Sequence, residues 1–304
     1  MRIHHLNCIS SCPLGGKLMD AGPEAILQRG HLTNHCLLVE TDSQLVLVDT
    51  GFGLEDIARP HSRISEFFLS MLSPDFRTEM TAIRQIEALG FDPGDVRDIV
   101  LTHLDFDHAG GLDDFPHARV HMLQAERDYA LMQKTWLDRQ RFRPQQWQTK
   151  PNWQVYSPGE GDMWFGFNRV RALDGITSDI ALVPLVGHTF GHAGVAVRGE
   201  NGRWLFNTGD AYFFHGEMDP DNPTCTPGLR FYQRMMDKNH EARVWNQTRL
   251  RELRRSYADE VDLFCSHDVL EFERVAGRSA EIPAERMIAS RSPDRTHPEQ
   301  QPRS

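Results

Sequence analysis

The chemistry of this chain is concentrated in a short segment, Thr102-His103-Leu104-Asp105-Phe106-Asp107-His108-Ala109-Gly110-Gly111. Two imidazoles and two carboxylates fall within six positions. The apolar run Asp98-Ile99-Val100-Leu101-Thr102 leads into them and a Gly pair follows. A loop at the end of a strand can fan such side chains in several directions. Imidazole plus carboxylate suits zinc, iron or manganese. The competing reading is a polar surface turn that happens to hold two histidines, because short motifs recur by chance.

Three later segments repeat the arrangement and weigh against chance. Val186-Gly187-His188-Thr189-Phe190-Gly191-His192, Asn207-Thr208-Gly209-Asp210-Ala211 and Cys265-Ser266-His267-Asp268 each follow an apolar strand. Each sets a His or Asp at a strand's C-terminal end, where a rigid sheet meets open loops and metal sites are commonly assembled. The candidate ligands are therefore His103, Asp105, Asp107, His108, His188, Asp210 and His267.

In type and order these residues resemble the metallo-β-lactamase fold superfamily, whose motif is HxHxDH, then a His in a GHT-type turn, a bridging Asp after a strand, and a final His. Asp49-Thr50-Gly51 is similar to the family's early structural motif. The resemblance runs from about His31 to His267. It implies an α/β fold, an αββα four-layer sandwich with the site along one edge of two sheets. It implies that His103, Asp105 and His188 hold a first metal, Asp107, His108 and His267 a second, and that Asp210 bridges them. His192 is then a structural residue able to orient a ligand by hydrogen bonding, and Asp49 a buried polar anchor.

The implied activity is dinuclear-metal-dependent hydrolysis of a lactone, ester or related acyl bond, with a metal-bridging hydroxide as nucleophile and Asp107 and Asp210 as catalytic carboxylates. A glyoxalase II-like thioesterase is the near alternative. One position departs from the motif: Asp105 stands where the family has its second His. A carboxylate is harder and adds negative charge, so the two divalent ions, zinc by family habit, give ground to iron or manganese. Flavodiiron proteins share that substitution, which keeps a di-iron redox protein as a second class. Tyr212 lies two residues after Asp210, whereas related acyl-homoserine lactonases carry a catalytic Tyr three residues on. It is read both as an oxyanion donor or acid and as a packed aromatic.

The elements that must position these residues follow from periodicity. Strands are expected over Ile3–Ile9, in a hairpin of His35–Glu40 and Gln44–Asp49, and at Asp98–Thr102 and Val120–Leu123. Further strands are expected near Arg169–Leu173, Ile180–Leu185, Ala193–Val197, Trp204–Asn207 and Val261–Cys265. Helices are expected over Thr78–Leu89, capped by Gly90, over Gln124–Arg141 as one piece, and across Leu229–Tyr257. Arg59–Pro74 reads as a mobile insertion. Phe52, Phe67, Phe68, Trp136, Trp147, Trp153, Phe213 and Phe214 are read singly as core residues and together as walls for an acyl or aromatic substrate.

Composition narrows the remaining classes. The 304 residues are 39% hydrophobic and 25% charged, enough for one large domain. A net charge of -10 argues against a nucleic-acid partner; the partner that the resemblance implies is a small-molecule acyl substrate. No apolar run is long enough to span a membrane, and no leader pattern is evident. Five irregularly spaced cysteines, Cys8, Cys12, Cys36, Cys225 and Cys265, read as reduced thiols of a cytoplasmic protein. The catalytic domain is expected over residues 1–276. A disordered tail is expected over 277–304, where Arg, Ser, Pro and Glu dominate.

Overall fold

The computed structural model describes residues 1–22, 25–147, 152–157 and 161–280. Two six-stranded sheets face each other. The first runs in chain order: β1 (Arg2–Asn7), β2 (His35–Glu40), β3 (Leu45–Val48), β4 (Val96–Val100), β5 (Arg119–Leu123) and β6 (Trp153–Tyr156). The second holds β7 (Asp162–Trp164), β8 (Phe167–Ala172), β9 (Ile180–Pro184), β10 (Ala193–Arg198), β11 (Trp204–Asn207) and β12 (Val261–Phe264), again as sequence neighbours. β3 to β6 are parallel, and so are β11 and β12; the other pairs are antiparallel.

Strand alternation explains why this becomes four layers. Successive side chains of a strand point to opposite faces. Leu37, Val39, Val46 and Val48 enter one apolar cluster, with Ile180, Leu182, Val195 and Val197 of the second sheet. Their neighbours Cys36, Leu38, Leu45 and Leu47 enter another, on the opposite face. A third cluster joins Val183, Ala196, Phe206 and Leu263 to helical Leu250 and Leu253. A strand that is apolar at every position has to be covered on both sides, and the expected αββα sandwich results.

The helices of the first half are α1 (Lys17–Asp20), α2 (Leu54–Ala58), α3 (Pro60–Arg63), α4 (Glu66–Leu72), α5 (Ala82–Ala88) and α6 (Phe106–Ala109). After them come α7 (Gln124–Met132), α8 (Trp136–Arg141), α9 (Pro227–Met236), α10 (His240–Ser256) and α11 (Val269–Ala276). The Arg59–Pro74 segment is not a mobile insertion. It forms α3 and α4, with Ile64 and Phe68 fully buried, and Arg63 ties it to Asp56, Asp113 and the Gly110 carbonyl. The expected helix over Gln124–Arg141 is two helices. Gln133 takes a left-handed backbone that stops α7, and Thr135 with Asp138 forms a capping box that restarts the chain as α8. The expected helical region Leu229–Tyr257 is likewise split, with Asn239 capping α10.

Gly277 caps α11 in a left-handed conformation. Just beyond it, Arg278 donates to the His5 carbonyl (2.9 Å) and Ala280 is buried. The rest of the expected tail, residues 281–304, lies outside the described residues, as do residues 148–151. None of the five cysteines, all among the described residues, is in a disulfide. Among the described residues no helix is long and apolar enough to cross a membrane.

Two contacts lock the loops that leave the sheets. Glu126 of α7 is fully buried and accepts from the Leu104 N–H (2.9 Å), the Thr189 hydroxyl and the Gly191 N–H (3.2 Å). It thereby fastens the loop after β4 to the loop after β9. Burial raises its carboxyl to about 7 against the pull of those donors. Gly51 turns the chain after β3 at φ +64°, where an added Cβ would sit 2.3 Å from the Cys8 Cβ and 2.5 Å from the Cys8 carbonyl oxygen.

Gly51→Ala therefore combines backbone strain with a clash, and urea unfolding should show a loss of about 2–4 kcal/mol. Glu126→Leu strands three buried donors, each costing about 1–3 kcal/mol. The same measurement should show a loss of at least about 3 kcal/mol, and Glu126→Gln, which keeps an acceptor, should lose less than half as much. Equal losses would mean that packing, and not these bonds, fastens the loops.

Candidate metal centre

Every candidate ligand leaves the C-terminal end of a strand. His103, Asp105, Asp107 and His108 follow β4, with Asp105 at the N-cap of α6. His188 follows β9, Asp210 follows β11 and His267 follows β12. One sheet supplies the first four and the other sheet the last three, and all seven are buried.

They converge in two groups: His103, Asp105, His188 and Asp210, and beside them Asp107, His108 and His267. Within each, one ligating-type atom per residue lies within 4.8 Å of the others. In the first group the His103 Nε2 is 3.3 Å from Asp105 Oδ2 and 3.6 Å from Asp210 Oδ2. The His188 Nε2 is 2.9 and 3.3 Å from the same two oxygens. A tetrahedral site with metal–ligand bonds of about 2.0–2.1 Å has ligand–ligand edges of about 3.4 Å, so the set is dimensioned for an ion. Asp210 turns its other oxygen to the second group, with Oδ1 3.3 Å from the His108 Nε2 and 3.1 Å from the His267 Nε2. His267 is 3.9 Å from Asp107 Oδ2.

The rings are aimed by their other nitrogens. The Thr102 hydroxyl donates to Asp49 Oδ2 (2.8 Å) and accepts from His103 Nδ1 (2.9 Å). Asp49 also accepts from His108 Nδ1 (3.0 Å) and the Thr102 N–H (2.8 Å). His267 Nδ1 donates to the Thr33 carbonyl (2.7 Å). Each Nε2 is left with a lone pair facing the centre. The Nε2 atoms of His103 and His108 and Oδ1 of Asp210 are buried with no hydrogen-bond partner. Orphaned buried acceptors are costly, and a cation is what this donor set fits.

His192 is placed behind the centre. Its Nδ1 donates to the Leu185 carbonyl (2.9 Å) and its Nε2 accepts from the Asp210 N–H (2.9 Å), so it holds the Asp210 backbone. Burial pushes the Asp210 carboxyl up, yet the imidazoles of His267, His108, His103 and His188 outweigh that and hold it well below the carboxylate range.

Arg141, at the end of α8, belongs to this centre and no sequence pattern marked it. It is fully buried. Its Nε donates to Asp105 Oδ1 (2.7 Å) and its Nη2 to Asp105 Oδ2 (2.5 Å), and Nη2 also lies 2.8 Å from the His188 Nε2. Nη1 is held by the Met236 carbonyl (2.6 Å). Burial pushes the Asp105 carboxyl up, and Arg141 with His103 more than reverses it. The extra negative charge expected from Asp105 is thus paired locally with a guanidinium.

Tyr212 stands apart. Its hydroxyl donates to both oxygens of Glu271 (3.0 and 2.9 Å) and its ring lies in the core beneath the second sheet. The packed-aromatic reading describes it. Tyr232 of α9, which sequence reasoning passed over, lies where the charges of Asp107, Asp105 and Asp210 bear on its phenol; burial and those carboxylates push it well above its usual value. An apolar cluster over this edge contains Phe52, Phe68, Phe106, Phe213, Phe214 and Tyr232, with Phe67 against it. Phe213 stacks on His267, centroids 4.9 Å apart. Of the other aromatics weighed as pocket walls, Trp147 and Trp153 belong to the core outside the first sheet. Trp136 is exposed against Phe67. A hollow of about 400 Å³ lined by Met1, His5, Gly199 and Trp204 contains none of the site residues.

The profile described as the Metallo-beta-lactamase superfamily matches residues 29–262. A probable metallo-hydrolase of Mycobacterium tuberculosis is 39% identical over 268 residues, 88% of this chain and 80% of that protein. The N-acyl homoserine lactonase AttM of Agrobacterium fabrum is 28% identical over 170 residues, 55% of this chain and 60% of that protein. A solved N-acyl homoserine lactone hydrolase, with the product N-hexanoyl-L-homoserine bound at its catalytic metal centre, superposes with a TM-score of 0.64. It does so over 90% of this chain and 95% of that one, at 20% identity, which is a likeness of fold. Two sheets that carry His and Asp to one edge, a profile that spans most of the chain and a relative at this level of identity place the chain in the metallo-beta-lactamase superfamily, as a metallo-hydrolase.

Proposed function

We propose that this metallo-hydrolase opens lactones or cleaves related carboxylic esters with apolar acyl groups, at a centre of two divalent ions. The supporting observation is Asp210, which turns one carboxylate oxygen to each of two buried groups of ligating-type atoms. His103, Asp105 and His188 would hold one ion, and Asp107, His108 and His267 the other. Such ions supply an activated water and a Lewis acid for the substrate carbonyl.

The chain's own residues do the rest. Asp107 presents a carboxylate beside His267 to receive and orient a nucleophile's proton. Tyr232 is a neutral phenol at pH 7, able to donate to the oxygen that leaves. The aromatic cluster over the edge excludes water and offers an apolar wall, which suits an acyl chain better than a phosphodiester. The relatives named N-acyl homoserine lactonases point the same way. The redox alternative rests on Asp105 alone, whose negative charge Arg141 offsets.

The test is to strip the protein, reload zinc, manganese or iron singly, and assay lactones, aryl esters, thioesters and phosphodiesters. Lactone or ester turnover with at least one metal is expected, and silence on both would sink the proposal. Asp210→Ala should abolish turnover and leave one ion or fewer per chain by elemental analysis. His192→Ala should cost about 10–100-fold in turnover while retaining metal. Retention of two ions in Asp210→Ala would show that this carboxylate joins nothing.

A further inference from the structure

The two groups at the centre are not equivalent, and Arg141 makes the difference. In the second group, the His108 Nε2 and Asp210 Oδ1 are buried without partners. In the first, the His103 Nε2 is likewise without a partner, but the His188 Nε2 has two neighbours, the Arg141 Nη2 at 2.8 Å and Asp105 Oδ2 at 2.9 Å, and only the first is a cation. An imidazole nitrogen has one lone pair in the ring plane. It can accept a guanidinium N–H or bind an ion, but not both at once. Asp105 differs, because a carboxylate has lone pairs for Arg141 and for an ion together.

The guanidinium is also difficult to displace. Three of its contacts converge on the centre and the fourth anchors Nη1 to the Met236 carbonyl. Arg141 cannot shed its charge, and a buried cation left without its partners is costly. It therefore stands beside the first group as a resident positive charge. It holds one of that group's four donors and repels an incoming ion. Nothing comparable faces Asp107, His108 and His267 among the described residues.

We propose that Arg141 makes metal loading ordered. The group of Asp107, His108, His267 and Asp210 fills first. The group of His103, Asp105, His188 and Asp210 fills second and more weakly, when the guanidinium releases His188 while keeping Asp105. Arg141 is thus a positioning residue that sets how many ions the centre carries at a given metal concentration. This inference rests on the two-ion reading above and adds the order in which the ions arrive.

The experiment is a titration of the metal-free full-length chain with zinc against a chromogenic chelator, which reads affinity and stoichiometry without any turnover assay. The wild type should take two ions in separate steps, the second at least about tenfold weaker, the scale of losing one charge-assisted hydrogen bond. His188→Ala should delete the weak step and keep the tight one, and His267→Ala should delete the tight step. Arg141→Met frees both His188 and Asp105, so its second step should tighten by about tenfold or more. If that variant fails to fold, the pair Asp105→His with Arg141→Leu replaces a charged pair by an imidazole and an apolar side chain, and should bind two ions in one step. Two equal steps in the wild type, an unchanged or weaker second step in Arg141→Met, or loss of the tight step in His188→Ala would each overturn the ordered loading while leaving the two-ion proposal intact. A wild type that binds no zinc would overturn both.

Discussion

Buried carboxylates are tolerated only where opposite charge or donors meet them, and this fold gathers four at one edge: Asp49, Asp105, Asp107 and Asp210. Much of the local architecture answers that constraint. Asp49 is met by the Thr102 N–H and hydroxyl and by His108. Asp105 is met by Arg141. Asp210 is surrounded by imidazoles and has its backbone held by His192. Asp107 has the least compensation from protein groups, and burial pushes its carboxyl up. A cation held at this edge would complete its charge balance, which is the physical sense in which the donor set fits a metal.

The candidate ligands were legible because their signal is local. An apolar run followed by a His or an Asp states both the strand and what hangs from its end. It does so four times, after β4, β9, β11 and β12. The sandwich was legible for a related reason, since runs such as Leu45-Val46-Leu47-Val48 are apolar on both faces and need two partners.

What stayed hidden is what depends on distance along the chain. Arg141 looks in sequence like any basic residue of a polar helix, and only the fold brings it 36 positions back to Asp105. The one hint was Asp105 itself, an acid where an imidazole was expected, which asks for a counter-charge without naming it. Glu126 is equally silent, since its three partners lie in two loops on either side of the sandwich. Tyr212 misled because proximity in sequence to Asp210 was read as proximity in space; the turn after β11 carries its ring inward to Glu271. Arg59–Pro74 reads as an insertion although it is rich in apolar residues, and Ile64, Phe68 and Leu72 pack into one buried cluster with Phe106 and Phe213.

The last ligand-bearing strand has a bearing on how the protein matures. β12 pairs in parallel with β11, and parallel neighbours need a long crossover, here supplied by α9 and α10. His267 is therefore the last of the seven candidate ligands to be made, after both helices. Until then a growing chain carries His103, Asp105, Asp107 and His108 without the partners that would complete either group. Contacts between such distant segments form late and slowly. An ion held by residues of both sheets would stabilise only chains in which the two sheets have joined, so metal binding would favour completed molecules over nascent ones.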